Sequence, residues 1–272
     1  MCPSCDYTPK INNGIISHSP NFADNGDGGF KKESFSKLAR FENKSFWFLA
    51  RNKLITWALK CFKGNSANFL EVGCGTGFVL KGISHALPSI HLVGTEIYRE
   101  ALNYALDRVP TGEFMQMDAR QTPFYAEFDA VGAFDVLEHI NDDETVVREL
   151  YSALKPGGVL LLSVPQHPFL WSATDEYACH VRRYTNDNIV RVIKRSGFHI
   201  LRNTSFVFTL FPLMCLSRIK NRNCQNYNPS KEFQINRFLN FIFYMLLIFE
   251  IFCIKIGINF PFGGSRFIIA KK

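Results

Sequence analysis

The sequence lacks a concentrated run of basic residues. Its 31 Lys and Arg residues exceed its 24 Asp and Glu residues, which gives a formal net charge of +7 at pH 7. These charges are dispersed, and the pair Arg182 and Arg183 has no Lys or Arg run around it. A dedicated nucleic-acid-binding protein concentrates such charge on one face. We therefore expect no nucleic-acid partner, whereas the positive excess favours anionic ligands or an anionic membrane surface.

The sequence also lacks the features of a disulfide-stabilised secreted protein. Its eight cysteines are scattered, and no secretory signal pattern precedes them. We expect free thiols and a cytoplasmic location. Cys2 and Cys5, in "MCPSC", have the spacing of half a zinc site, but a second pair is absent, which favours unliganded thiols.

No uninterrupted apolar run in the sequence has the length of a membrane span. The segment "FLNFIFYMLLIFEIFCIKIGI" is interrupted by Asn240, Glu250 and Lys255. Its longest apolar run, Phe241 to Phe249, falls short of the ~20 residues that a bilayer requires. A helical subdomain that closes over the core is the favoured interpretation of residues 209–262, and contact with a membrane surface is the second.

Periodic patterns predict one α/β domain with additions at both ends. Residues 1–32 lack periodicity and predict a loose arm. In residues 67–208, short apolar runs alternate with amphipathic stretches, which predicts a doubly wound, mostly parallel sheet with helices on both faces. Residues 209–262 form a hydrophobic helical insertion before a last strand, 263–272, which we expect to be antiparallel. Residues 33–66 predict N-terminal cap helices, with an apolar face of Trp47, Ala50, Leu54, Trp57, Ala58 and Cys61.

The stretch "FLEVGCGTGFVL" places three glycines at alternate positions directly after an apolar strand. Gly73, Gly75 and Gly77 allow the backbone to approach a ligand closely at the carboxyl end of that strand. The dinucleotide fingerprint requires a glycine where this chain has Phe78, and Glu71 would repel a pyrophosphate. A carboxylate at this point suits a cationic ligand, which argues against an NAD(P)-linked oxidoreductase.

"LEVGCGTG" resembles the glycine motif of class I S-adenosylmethionine-dependent methyltransferases. Later segments resemble the same superfamily in the same order: Glu96 after the second strand, "MQMDA", and "FDAVGAFDVLEHI" followed by "LKPGGVLLLSVP". The resemblance implies a Rossmann-like fold, S-adenosyl-L-methionine as cofactor, ribose contacts at Glu96 and adenine contacts at Asp118 and Ala119. The cofactor-binding residues that it implies are Glu71, Gly73, Cys74, Gly75, Gly77, Glu96, Ile97, Asp118, Ala119, Phe134 and Asp135.

The loop "VPQHPFLWSATDEYACHVRRYT" resembles that of a poorly characterised branch of the superfamily, in which H-x-R-R-Y-T precedes a helix. In this fold the loop lines the acceptor pocket, which makes His180 a candidate general base. His139, after the fourth core strand, is the other catalytic candidate. Arg182 and Arg183 either bind the acceptor or pair with acids such as Asp175 or Glu176, and both alternatives stay open.

A metal site is the less favoured interpretation of "FDVLEHI". This segment resembles ubiquinone-pathway O-methyltransferases, in which acids and a histidine in a similar context hold a divalent ion. Asp135, Glu138 and His139 are available for that role here. In relatives without a metal the same histidine orders the loop, and we therefore predict no metal ligands.

The leading hypothesis is an S-adenosylmethionine-dependent methyltransferase that methylates oxygen or carbon on a small acceptor by in-line transfer. The hydrophobic insertion suggests an acceptor with a lipid-like portion, such as an isoprenoid, a quinone or a lipid-linked sugar. The alternative is a catalytically silent S-adenosylmethionine-binding scaffold at a membrane surface. A base-modifying enzyme is disfavoured, since "FDVLEH" stands where such enzymes carry an Asn/Asp-Pro-Pro-Tyr-like motif.

Overall fold

A nine-stranded sheet is the centre of the computed structural model, which describes residues 8–12, 15–19, 33–62, 68–222 and 235–272. The strands are β1 (Lys10–Asn12), β2 (Ile15–Ser17), β3 (Asn68–Val72), β4 (His91–Glu96), β5 (Glu113–Gln116), β6 (Phe128–Phe134), β7 (Leu154–Pro165), β8 (His199–Phe206) and β9 (Ser265–Lys271). Their spatial order is β1-β2-β5-β4-β3-β6-β7-β9-β8. The strands from β2 to β7 pair in parallel, whereas β9 is antiparallel to both β7 and β8. The predicted α/β fold class is confirmed.

Helices pack on both faces of this sheet. In chain order, those of the described residues are α1 (Glu33–Glu42), α2 (Phe46–Phe62), α3 (Phe78–Ala86), α4 (Arg99–Arg108), α5 (Asp143–Ala153), α6 (Ala173–Tyr177), α7 (Asn186–Arg195), α8 (Phe211–Lys220) and α9 (Arg237–Lys255). Successive side chains of β3 point to opposite faces, so Phe69 lies in the apolar cluster under α2, α3 and α9. Leu70 lies in the cluster under α5 and α7.

Capping residues fix where two of these helices begin. The Asp142 side chain accepts a hydrogen bond from the Thr145 backbone amide at 3.2 Å, and Thr185 accepts one from the Asn188 amide at the same distance. Each bond satisfies an amide that has no partner inside the helix. The loops that precede α5 and α7 are thereby fixed, and both loops border the cavity described below.

The prediction of a loose arm over residues 1–32 is wrong for residues 10–12 and 15–17. These residues form β1 and β2, and β2 extends the sheet by pairing in parallel with β5. Ile15 is buried, and the Ser17 hydroxyl donates to the Gln116 side chain at 2.6 Å. Because pairing with β5 rather than local periodicity stabilises these strands, the pattern of the sequence did not reveal them. Cys2 and Cys5 lie outside the described residues.

Helix α2 packs on one face of the sheet, and its first turns reach the cavity described below. Ala50, Leu54 and Ala58 are buried as predicted, but Cys61 is exposed and Asn52 is buried. The Asn52 amide donates to the Phe78 carbonyl at 2.9 Å, which joins α2 to the start of α3. The apolar face of α2 is therefore rotated relative to the predicted one and includes a polar contact.

A buried ion pair joins α1 to the glycine turn. Glu42, the last residue of α1, pairs with Arg108 of α4 at 2.6 Å. The Thr76 hydroxyl lies between them, 2.7 Å from Glu42 Oε2 and 2.6 Å from Arg108 Nη1. Moving α1 away from the turn would break this pair and leave a buried charge without a partner, which is costly. The pair therefore holds α1 over the turn.

Helix α9 packs against α2 and is held by two polar side chains. Asn240 accepts from the Phe46 amide and donates to the Lys44 carbonyl, both at 3.0 Å. Glu250 is fully buried, where it accepts from the backbone amides of Phe208 and Thr209 at 3.0 and 2.9 Å. The helix has 19 residues and is apolar enough, by length and composition, to cross a membrane, which the interrupted run in the sequence did not indicate.

We expect Glu250→Ala to destabilise the fold, because it leaves the amides of Phe208 and Thr209 without acceptors. Each orphaned buried donor costs about 1–3 kcal/mol. Lys255→Ala, on the exposed face of the same helix, should be nearly neutral. Urea denaturation measures both; equal midpoints for the two variants would show that Glu250 does not anchor α9.

Candidate functional site

The glycine turn between β3 and α3 forms the floor of the site. Gly73, Gly75 and Gly77 have φ values of +70°, +52° and +73°. These left-handed conformations strain any residue with a Cβ atom. The amides of Gly73 and Cys74 donate to the Thr95 carbonyl at 2.8 and 2.9 Å, which attaches the turn to the end of β4. The turn is thus a preformed concave surface.

Glu96, at the end of β4, holds the turn through its carboxylate. One oxygen accepts from the Gly75 amide at 3.0 Å. The other accepts from the amides of Ile97 and Tyr98 at 2.7 and 3.2 Å. Burial raises the pKa of Glu96, while these three hydrogen bonds act in the opposite direction. The side chain is fixed in one orientation at the rim of a cavity.

Asp118 follows β5, and its carboxylate is paired with Arg120. Arg120 Nη2 lies 2.6 Å from Asp118 Oδ2, and Arg120 Nε lies 3.1 Å from both carboxylate oxygens. The Arg120 side chain is 39% exposed and has room to swing toward solvent. Asp118 and Ala119 line the same cavity as Glu96, as the sequence resemblance implies.

Arg51, a residue that the sequence did not indicate, lies among the acids of the site. It comes from α2, pairs with Asp135 and stacks over the Trp47 ring at 4.7 Å from the centroid. Its positive charge opposes the rise in the pKa of Glu71 that burial causes. The signal that would have found it is a single arginine within the apolar helix segment "FWFLARN".

Glu71 is a buried carboxylate with an unused oxygen. It lies on β3, two residues before Gly73, and its Oε2 has no hydrogen-bond partner. Burial raises the pKa of Glu71 well above its usual range, and the negative charges of Glu96 and Glu42 raise it further. A cationic ligand above the turn would reverse that shift by favouring the charged carboxylate.

A second group, Glu138, His139 and His180, lies on the opposite side of the cavity. Glu138 is fully buried and neither of its carboxylate oxygens has a hydrogen-bond partner. The two imidazole rings meet edge to face with centroids 4.8 Å apart, and His180 Nε2 lies 4.0 Å from Glu138 Oε1. Burial and the neighbouring His180 lower the pKa of His139 to about 4. The structure therefore brings both predicted catalytic histidines together.

Each imidazole of this group also makes a hydrogen bond to a residue outside the group. His180 Nδ1 lies 2.9 Å from Asp175 Oδ1, and the His139 ring bonds to the backbone of Cys179. The ligand atoms of Glu138, His139 and His180 all lie within 4.8 Å of one another. Asp135, which the sequence placed with Glu138 and His139, is outside this group because it pairs with Arg51 and accepts from the Ser163 hydroxyl.

The arginines of the H-x-R-R-Y-T loop have structural partners. Arg183 Nε donates to Asp175 at 2.7 Å, so the predicted pairing with that acid is confirmed for Arg183. Arg182 pairs instead with Asp143 at 2.9 Å, and the Tyr184 hydroxyl donates to the same carboxylate at 2.6 Å. These bonds fix the loop that carries His180.

A cavity of about 970 Å³ joins the glycine turn to the group of Glu138, His139 and His180. It extends from the glycine turn to α8 and α9, where Leu213, Met214 and Phe243 line it. Of the predicted cofactor residues, Gly77 is not in its lining. The others lie along it: Glu71, Gly73, Cys74, Gly75, Glu96, Ile97, Asp118, Ala119, Phe134 and Asp135.

Comparisons with known proteins identify the central part of the chain. Residues 70–162 match the protein family described as "Methyltransferase domain". The chain is 31% identical over 103 residues to trans-aconitate 2-methyltransferase of Azoarcus sp. (strain BH72), covering 38% of this chain and 41% of that protein. It is 35% identical over 104 residues to the ubiquinone biosynthesis O-methyltransferase of Marinobacter nauticus, covering 35% and 42%. The chain thus spans about two fifths of the length of these curated relatives.

Solved structures share the fold at low sequence identity. The [4+2]-cyclase SpnF aligns with a TM-score of 0.57 and 19% identity over 83% of each chain. Phosphoethanolamine N-methyltransferase 2 of Haemonchus contortus, in complex with S-adenosyl-L-methionine, aligns with a TM-score of 0.53 and 19% identity over 80% of this chain and 52% of that one. Since one of these proteins is a cyclase, the fold alone does not fix the reaction.

We expect Gly75→Ala and Gly77→Ala to separate ligand binding from folding. An added Cβ at Gly75 meets nothing within 4 Å, so its cost is the left-handed strain of about 1–2 kcal/mol and the loss of ligand space. At Gly77 the Cβ would lie 2.8 Å from the Ala105 backbone, which adds a clash. Urea denaturation should therefore show the larger loss of stability for Gly77→Ala, and calorimetry should show weakened cofactor binding for folded Gly75→Ala. Equal stability of the two would contradict this geometry.

Proposed function

We propose that the chain is a class I S-adenosylmethionine-dependent methyltransferase that methylates a small acceptor with a lipophilic portion. The observation that carries this proposal is the acidic floor of the cavity. Glu71, with its unpartnered oxygen, and Glu96 lie beside a glycine turn whose Gly75 faces open space. Such a floor favours a cationic adenosyl ligand over a nucleotide that carries a diphosphate.

The residues present fit S-adenosylmethionine. Glu96 is fixed at the rim with carboxylate oxygens suited to a ribose diol, and Asp118 with Ala119 would meet the adenine once Arg120 swings away. The cavity volume of about 970 Å³ leaves room for a second molecule beside the cofactor. When bound, S-adenosylmethionine supplies an electrophilic methyl group whose leaving group needs no further activation.

The protein's contribution to transfer is therefore alignment and exclusion of water. Helices α1 and α2 cover the glycine turn, and the Glu42–Arg108 pair holds α1 closed over it. The bonded loop from Asp175 to Tyr184 forms the opposite wall. Between these walls an acceptor would be held in one orientation.

We assign the role of general base for a hydroxyl acceptor to His180. Asp175 fixes its Nδ1 side, which leaves Nε2 directed toward Glu138. This is the base and orienting carboxylate arrangement that proton removal requires. His139, whose pKa is lowered to about 4, stays neutral near pH 7 and offers hydrogen bonding to the acceptor.

The same group also fits a divalent ion. A buried unpartnered carboxylate and two imidazoles, each held on its other side, form a donor set typical of first-row transition metals. Glu138, His139 and His180 would hold the ion. When bound, a metal supplies polarisation of an acceptor oxygen.

The lipophilic character of the acceptor is supported by the far end of the cavity, where Leu213, Met214 and Phe243 line it. Two of the matched relatives are named trans-aconitate 2-methyltransferase and ubiquinone biosynthesis O-methyltransferase. We also propose, independently of the reaction, that the described helices α8 and α9 contact a membrane surface.

The alternative, a catalytically silent S-adenosylmethionine-binding scaffold at a membrane, predicts binding without turnover. Formation of S-adenosylhomocysteine in a cell extract supplied with labelled cofactor separates the two. Transfer of the label to a lipid-extractable product supports the proposed enzyme. Tight binding with no product in any fraction supports the scaffold.

Glu96→Ala should weaken S-adenosylmethionine binding by roughly ten- to a hundredfold, because it removes charge-assisted hydrogen bonds to the ligand. Isothermal titration calorimetry measures the affinity. The matched control is Glu113→Ala, which removes an exposed carboxylate at the start of β5. Because Glu96 also holds the turn, the loss of affinity has to be separated from a loss of stability. A thermal unfolding scan measures the stability, and Glu96→Gln, which retains one acceptor oxygen, is a milder variant for the same comparison. Unchanged affinity in folded Glu96→Ala would count against the cofactor assignment.

His180→Asn should lower kcat by roughly a hundredfold or more, since general base catalysis typically contributes that much. His139→Asn should have a smaller effect and should leave the profile between about pH 6 and 8 unchanged, because the pKa of His139, about 4, lies below that range. The measurement is S-adenosylhomocysteine formation with a lipid extract as acceptor. Equal losses in both variants, together with inactivation by a chelator, would assign the group to a metal instead.

A further inference from the structure

Helix α9 exposes a continuous apolar stripe on the side that faces away from the domain. Its members recur three or four residues apart, so they lie along one face of the helix. They are between 48% and 69% exposed, and no charged residue interrupts the stripe: Phe238, Phe241, Met245, Phe249, Phe252 and Ile256. The opposite side packs on the domain through Leu247, Ile251 and Ile254. The helix is thus apolar on both sides but buried on only one.

Helix α8 adds a second set of exposed apolar side chains: Leu213, Leu216 and Ile219, which are 51–69% exposed. We call the stripe of α9 and these three residues together the α8–α9 face. Isolated exposed hydrophobic residues are ordinary, but a stripe of six along one helix, beside three more on a second helix that lines the same cavity, is typical of an interaction surface.

In the described parts of the segment that carries α8 and α9, the charged side chains that are not buried have one sign. Among described residues 207–222 and 235–264, the acidic group is Glu250, which is fully buried. The basic groups of the same ranges are Arg218, Lys220, Arg222, Arg237 and Lys255. Arg237 and Lys255 lie at the two ends of the stripe. A surface with an apolar centre and cationic ends is complementary to anionic lipid headgroups over acyl chains.

The cavity reaches the same helices from inside the domain. Leu213 is half exposed on α8 and also lines the cavity, as do Met214 of α8 and Phe243 of α9. Helices α8 and α9 therefore border both the exposed apolar face and the cavity. An apolar molecule that leaves a bilayer at this face would need to pass only between α8 and α9.

We propose that the α8–α9 face lies on the surface of an anionic lipid bilayer, and that a membrane lipid or lipid-linked acceptor enters the cavity between α8 and α9. The docking itself follows from the exposed stripe and its charges. The identity of the entering molecule as the methyl acceptor rests on the proposed function.

Two other arrangements of this face are less consistent with the contacts. A helix that spans the bilayer would have to release Asn240 and Glu250 from their backbone partners at Lys44, Phe46, Phe208 and Thr209. In a symmetric dimer through this face, the basic residues of one copy would meet the same residues of the other, and like charges oppose such a contact. A bilayer surface satisfies both the apolar stripe and the cations.

Vesicle co-sedimentation tests the docking. The full chain should bind vesicles of phosphatidylcholine mixed with phosphatidylglycerol more tightly than vesicles of phosphatidylcholine alone, and salt should weaken this binding. Phe241→Ser/Phe249→Ser should reduce the partition coefficient by roughly a hundredfold, because two aromatic side chains no longer enter the acyl region. The matched control is Ile11→Ser/Tyr125→Ser, which removes two exposed apolar side chains from β1 and the loop before β6.

Depth of insertion is tested separately. Lipids with brominated acyl chains should quench the additional tryptophan fluorescence of the Phe249→Trp variant. They should not quench the additional fluorescence of the Tyr125→Trp variant. Calorimetry with S-adenosylmethionine on each variant keeps this test independent of the proposed function, since neither Phe241 nor Phe249 lines the cavity. If neither the wild type nor any variant bound S-adenosylmethionine, the proposed function would be contradicted, while the docking to the bilayer would still stand.

Three results would overturn the docking. The first is wild-type protein that binds neither vesicle type. The second is a Phe241→Ser/Phe249→Ser variant that binds as well as the wild type. The third is a wild-type dimer in sedimentation velocity that the same double variant converts to a monomer, which would assign the face to a second copy of the chain.

Discussion

The site depends on buried acidic side chains that the fold holds at the C-terminal edge of the parallel strands. Glu71 and Glu138 are buried with unpartnered carboxylate oxygens, and burial raises the pKa of both. The positive charge of Arg51, on α2, partly offsets this rise in the pKa of both acids. Buried carboxylates are costly unless they are paired, so the cavity favours any ligand that brings a positive charge. Parallel strands produce this arrangement, because their carboxyl ends all meet at one edge.

The surrounding structure keeps that edge covered and rigid. Glu96 holds the glycine turn through backbone amides, and the Glu42–Arg108 pair holds α1 over Thr76. On the other side, Asp175 fixes the loop that carries His180. Both walls are therefore built from hydrogen-bonded ion pairs rather than from apolar packing alone. Such bonds fix orientation, which is what the proposed methyl transfer would require of the protein.

The α/β fold and the position of the ligand edge could be predicted from the sequence, because parallel strands and glycine turns have strong local signals. The acid before Gly73 and the acid that ends β4 identified the ligand edge. Arg51 was missed because its role depends on how α2 packs over the turn, and the local signal, a single arginine in the apolar segment "FWFLARN", does not by itself give that role. The strands β1 and β2 were missed for a similar reason, since β5 stabilises them. The cluster of His180 with Glu138 and His139 required the three-dimensional path of a loop.

The central claim is that the turn from Gly73 to Gly77 receives a positively charged adenosyl ligand. A crystal soaked with both S-adenosylmethionine and NAD tests it most directly. The account predicts electron density for the adenosyl cofactor, with its ribose at the Glu96 carboxylate and no diphosphate over the turn. A diphosphate bound to the amides of the turn would contradict the claim.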